Sequence, residues 1–130
     1  MTRLAGLVLV VRNLERAIAI YERALGFQRL DAPVDVPSLG ARQIVLQGKN
    51  CLVELLEPYD EERPPGMFLR ARGEGIFSLA LELDQPADAR EQLAGAFVEA
   101  RGSGDDPQRW YVRPADAHGL LLQISAKPDG

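Results

Sequence analysis

The chain has 130 residues, 46% of them apolar and 26% charged, which suits one compact domain with its own core. Its formal net charge of −4 argues against nucleic acid as the main partner, because phosphate contacts need a basic face. The one cysteine, Cys51, excludes an intramolecular disulfide, and a reducing cytoplasm is the expected setting. The apolar run Leu4–Val11 is too short to span a bilayer, and no small-residue cleavage signature stands directly behind it, so no membrane anchor or signal peptide is expected.

Leu4–Val11 reads as a strand. Asn13 is placed to cap the following helix by accepting a backbone N–H of its first turn. Leu14, Ala17, Ile18, Tyr21 and Leu25 fall at helical spacing on one apolar face, and Gly26 closes the helix. Phe27–Leu30 is a short strand and Asp31–Gly40 a loop. Ala41–Gln47 and Cys51–Glu57 form a hairpin across Gly48–Asn50. Pro58–Glu74 is a connector with three prolines, in which Met67-Phe68-Leu69 makes one covering turn of helix.

The second half repeats the plan. Gly75–Leu83 is a strand, Pro86–Ala96 a helix with proline in its first turn, and Phe97–Arg101 a short strand. Gly102–Gln108 is a polar loop. Arg109–Arg113 and Gly119–Ser125 pair across the turn Pro114–His118. Each half is strand, helix, then three strands, an internal repeat of pattern over residues 1–58 and 74–127 of a single domain, 1–130.

Side chains alternate along a strand, so each strand has two distinct faces. Phe77, Leu79, Leu81 and Leu83 form an apolar row expected to lie under the second helix, opposite Ile76, Ser78, Ala80 and Glu82. Leu7, Leu9 and Val11 face the first helix, and Gly6, Val8 and Val10 face away. In the CLVELLEP stretch, Glu54 stands in one row with Leu52 and Leu56. A carboxylate in an apolar row is costly to bury without a proton, a partner or a ligand. Gly6, Glu54, Ser78 and Gln123 are thus the small or polar residues on the second faces of four strands. Two equivalent halves would gather them on the concave side of one curved sheet.

These segments together resemble the vicinal oxygen chelate superfamily, which includes glyoxalase I, bleomycin-resistance proteins, extradiol dioxygenases and methylmalonyl-CoA epimerase. The matching stretches are LVVRNLERAIAIYERALG (9–26), VELLEP (53–58), FLRARGEGIFSLALEL (68–83) and PADAHGLLLQ (114–123), and they look most like the epimerase branch. The resemblance implies an α+β fold: two βαβββ modules forming a cupped, mixed eight-stranded sheet with helices on the outer face. It implies a homodimer and a small-molecule ligand or substrate. It places the family's metal-ligand positions on Gly6, Glu54, Ser78 and Gln123. Only Glu54 is a good ligand type, because divalent sites draw on imidazole and carboxylate groups. No tightly held cofactor is therefore expected, and a weak divalent metal could rest only on Glu54 and Gln123. The epimerase's two bases would fall on Ser38, in Pro37-Ser38-Leu39-Gly40, and on Gln123, neither of which is a base.

The candidate catalytic residue is Glu54, as an acid/base group whose apolar setting should raise its pKa. The candidate ligand-binding residues are Glu54, Ser78, Gln123, Trp110, Tyr111 and Arg113. Trp110 and Tyr111 point to opposite faces, so one of them is expected to line the hollow. Arg109 and Arg113 are available to an anion such as a carboxylate or phosphate, though arginines at strand ends are commonly solvated. His118 is read as a surface turn residue, Cys51 as a small buried hydrophobe and Asp60–Glu62 as loop surface. The expected activity is that of an isomerase or lyase on a small oxygenated metabolite. The alternative is a metal-free binding protein of the antibiotic-resistance type.

Overall fold

The computed structural model describes residues 1–96, 98–102 and 106–128. They form β1 (Arg3–Val10), α1 (Leu14–Ala19), β2 (Gln28–Arg29), β3 (Val34–Val36), β4 (Ala41–Gln47), β5 (Leu52–Pro58), α2 (Pro64–Arg72), β6 (Gly75–Leu83), α3 (Pro86–Gly95), β7 (Arg101–Gly102), β8 (Trp110–Val112) and β9 (Leu121–Ala126). Strands and helices are both abundant and strand pairing is mixed, so the class is α+β. Contacts divide the chain into one unit of Gly6–Phe77 and a second of Met1–Ala5 with Ser78–Gly130, so β1 and β6 each contribute residues to both.

In the 6–77 unit the strand order is β2-β4-β5-β1, with β3 also pairing β4. β1 runs parallel to β5, and β4 runs antiparallel to β2, β3 and β5. One face carries Leu9, Ile44, Leu46, Val53 and Leu55 and is covered by Leu14, Ala17 and Ile18 of α1. Asn13 caps that helix through its Oδ1, which accepts the Arg16 N–H at 2.9 Å. The helix then widens into a π-type turn over Ile20–Ala24, in which the Leu25 N–H reaches the Ile20 carbonyl at 3.2 Å. The wider turn shifts the side-chain phase by a residue. Leu25 is consequently 58% exposed and does not join the apolar face expected of it, while Tyr21 packs edge-on against Phe27. Gly26 ends the helix at φ 79°, the left-handed conformation expected there.

The opposite face of this sheet carries Val8, Val10, Ala41 and Leu56, packed against Phe68 and Leu69 of α2. The connector thus holds a nine-residue helix rather than one turn at Met67–Leu69. Its two opening prolines occupy N1 and N2, where no backbone donor is needed. Two further expectations are corrected. Asp31–Gly40 contains β3, whose β-branched Val34 and Val36 pair with Gln43 and Ala41; the strands among the described residues therefore number nine rather than eight. Phe77 does not lie under the second helix, but packs edge-on against Phe68 with ring centroids 5.5 Å apart.

In the second unit the order is β6-β9-β8-β7, with β6 parallel to β9 and the other pairs antiparallel. Leu81, Leu83, Trp110, Val112, Leu122 and Ile124 pack beneath Ala89 and Leu93 of α3. Residues 1–5 belong to this unit, and Arg3 reaches Glu82 at 2.7 Å. The short strand expected at Phe97–Arg101 is observed at Arg101–Gly102. Phe97 and residues 103–105 of the expected polar loop lie outside the described residues.

Candidate functional site

In the 6–77 unit the site is organised by Glu54. Pairing sets Glu54 between Val8 of β1 and Val45 of β4, with Gly6 two residues back along β1 and so on the same face. Burial falls along its row, from Leu56 at 1% exposed under α2 to Leu52 at 40%. Glu54 lies between those extremes. Burial alone pushes its carboxyl above the ordinary glutamate range. Among the described residues of this unit, no cation or hydrogen-bond donor offsets that cost.

The neighbouring carboxylate, Glu57, has a different role. It points to the helix side, where its Oε2 accepts the Leu14 N–H at 2.7 Å at the start of α1. Its Oε1 meets Arg42 Nη1 at 3.3 Å, and Arg42 Nη2 reaches Glu15 at 2.9 Å. Sequence reasoning passed over Glu57. Its signal was parity: it shares the face of Val53 and Leu55, directed at the helix.

In the second unit, Ser78 is 1% exposed and its hydroxyl donates a long hydrogen bond of 3.4 Å to Gln123 Oε1. Ala80, Gln123, Tyr111 and Arg101 stand side by side across β6, β9, β8 and β7, so they share one face. Of the two aromatic candidates, Tyr111 is therefore the one beside Gln123. Trp110 lies on the opposite face, 2% exposed under α3, with its indole N–H donating to the Pro86 carbonyl at 3.1 Å. Its position in the helix-covered core leaves it nothing to offer a ligand on the Gln123 side. Arg113 is paired with Asp116 at 3.4 Å and with Glu99 at 3.9 Å. Arg109 and His118 are exposed, His118 at φ 58° in a turn. Ser38 is exposed on the short turn Pro37–Leu39. Cys51 is half-buried just ahead of β5, and its carbonyl accepts the Gly48 N–H at 2.9 Å.

The residues at the expected metal positions do not fit a divalent ion. A β-carbon at Gly6 would collide with the Leu52 carbonyl, so that position has no room for a donor side chain. Ser78 and Gln123 are neutral and bonded to each other. Among the described residues, no group of three or more His, Cys, Asp or Glu side chains gathers. One carboxylate does not supply the charge or the geometry that a divalent cation requires.

The architecture defines an α+β protein in whose first unit α1 covers one face of the sheet and α2 part of the other, with the half-buried Glu54 carboxylate on the face that α2 only partly covers. The chain belongs to the Glyoxalase/Bleomycin resistance protein/Dioxygenase superfamily, whose model matches residues 3–124. It is 30% identical over 129 residues to an ethylmalonyl-CoA/methylmalonyl-CoA epimerase of Cereibacter sphaeroides, covering 94% of this chain and 96% of that one. Among solved structures it is similar to methylmalonyl-CoA epimerase from Mycobacterium tuberculosis, with a TM-score of 0.75, 25% identity, and 97% and 89% of the two chains covered. It also matches a hypothetical protein from Bacillus halodurans C-125, with a TM-score of 0.80, 22% identity, and 99% and 96% covered.

Proposed function

We propose that this protein is an isomerase- or lyase-type enzyme that moves a proton on a small oxygenated metabolite, an acyl thioester being the first class to test. Glu54 is the acid/base group, and no tightly held metal takes part. The observation that carries this reading is the placement of Glu54, half-buried in an apolar row between Val8 and Val45, where burial raises the pKa of its carboxyl. Such a carboxylate is a stronger base than a solvated one and can take the acidic proton beside a carbonyl. Returning that proton regenerates the carboxylate. The similarity to acyl-CoA epimerases supports the thioester class.

The experiment is incubation with methylmalonyl-CoA in D₂O, followed by mass spectrometry, for the wild type and Glu54→Gln, with and without Co²⁺. The expected result is deuterium uptake at the α-carbon that is independent of Co²⁺ and abolished by Glu54→Gln. Absence of uptake under every condition would remove the proposal.

A second reading, a metal-free binding protein, is favoured by the closed Gly6 position and the loss of both epimerase bases. It predicts that aromatic or polyketide-like ligands raise the melting temperature and that Glu54→Gln keeps full affinity. A homodimer belongs to either reading and is tested by sedimentation velocity.

A further inference from the structure

A cavity of about 600 Å³ lies in the 6–77 unit between α1 and Glu74–Ile76. That volume falls within the usual range for small-molecule pockets. Glu54 is not among the cavity's lining residues. Its wall includes Leu9 and Ala17, which belong to the core on the α1 side of the sheet. Three further side chains shape it: Tyr21, and two aliphatic groups left unusually open, Ile20 at 49% and Ile76 at 44% exposed.

The polar part of the lining is cationic. Arg12 and Arg16 both contribute, and among the described residues of this unit neither guanidinium forms an ion pair. The one carboxylate in the lining, Glu74, accepts the backbone N–H of Arg12 at 2.9 Å. Two guanidinium groups against one carboxylate leave a single positive charge beside an aliphatic wall. That balance matches a monoanion with an apolar tail. A dianionic phosphate would exceed the site's single net positive charge, and a neutral lipid would leave the guanidinium groups unused.

We infer that this cavity is a second binding site, for a small aliphatic carboxylate whose tail lies on Ile20, Tyr21 and Ile76 and whose head group is held by Arg12 and Arg16. The inference stands independently of the role of Glu54.

The test is calorimetric titration with octanoate, 1-octanol and acetate. Octanoate should bind one per chain, with the other two at least about tenfold weaker, because each lacks one half of the recognition. Two variants at exposed positions test the two halves separately: Arg12→Gln/Arg16→Gln and Ile20→Asp, each checked for native circular dichroism. Each should weaken octanoate by about tenfold or more, while Glu54→Gln leaves it unchanged. The inference is overturned if octanoate does not bind or binds no better than 1-octanol. Unchanged affinity in both cavity variants, or loss of binding only in Glu54→Gln, would also overturn it.

Discussion

Gly6 sits beside Leu52 in the parallel pairing of β1 with β5, and the Leu52 carbonyl occupies the space that a β-carbon at position 6 would need. Because the obstacle is main chain, a larger residue must push β5 aside. Gly6→Ala is expected to cost about 1–3 kcal/mol, in the range of overpacked cores, read from urea denaturation. Gly6→His should not create a metal site. Equilibrium dialysis against Co²⁺ followed by metal analysis of the variant would show bound cobalt if this expectation is wrong.

Glu54 makes stability depend on pH in an unusual direction. Its folded-state pKa lies above the unfolded value because burial disfavours the charged form. Below the ordinary glutamate pKa both states carry the proton and Glu54 costs nothing. As pH rises through the window between the unfolded and the raised folded pKa, the folded state holds the proton more tightly, and stability is lost. Glu54→Gln should therefore be more stable than the wild type at pH 7, with the gap closing toward pH 4. Denaturant midpoints across that range measure the difference, and a gap that widened on acidification would refute the assignment.

Glu57 anchors the start of α1 through the Leu14 amide and also holds Arg42. Glu57→Leu leaves that amide without an acceptor and is expected to cost about 1–3 kcal/mol. Glu57→Gln keeps an oxygen there and should cost less. Paired urea melts of the two variants decide this, with equal losses counting against the hydrogen bond.

Trp110, the one tryptophan, is a built-in reporter of the α3 core. Its emission should be blue-shifted and shielded from iodide in the native state. Trp110→Phe removes the indole bond to the Pro86 carbonyl and part of a buried ring, and about 1–3 kcal/mol of stability should go with it. Ready iodide quenching of the folded protein would contradict the burial seen here.

Local rules were enough for much of this fold. The Asn13 cap, the Gly26 stop and the two-faced strands each follow from backbone geometry within a few residues. What escaped depended on partners distant in sequence. The π-type turn at Ile20–Ala24 leaves no compositional trace, yet it turns Leu25 outward. The prolines that suggest an irregular connector are equally the permitted opening of α2. Alternation separates Trp110 from Tyr111 but does not say which faces the helix, since both are aromatic and both suit a strand. At the site, parity isolated Glu54. It could not say that position 6 is blocked, because the blocking atom is a carbonyl of another strand.

The grouping of residues 1–5 with the C-terminal unit bears on how the polypeptide can be cut. A fragment expressed from Gly75 onward would carry Glu82 without the Arg3 guanidinium that meets it, and it would lack the three strand residues, Arg3–Ala5, that β1 contributes to this unit. Severing the connector therefore does not yield two autonomous halves. Fragment complementation should need the leading pentapeptide to be supplied in trans, and a synthetic minigene for the second half would have to encode it as well.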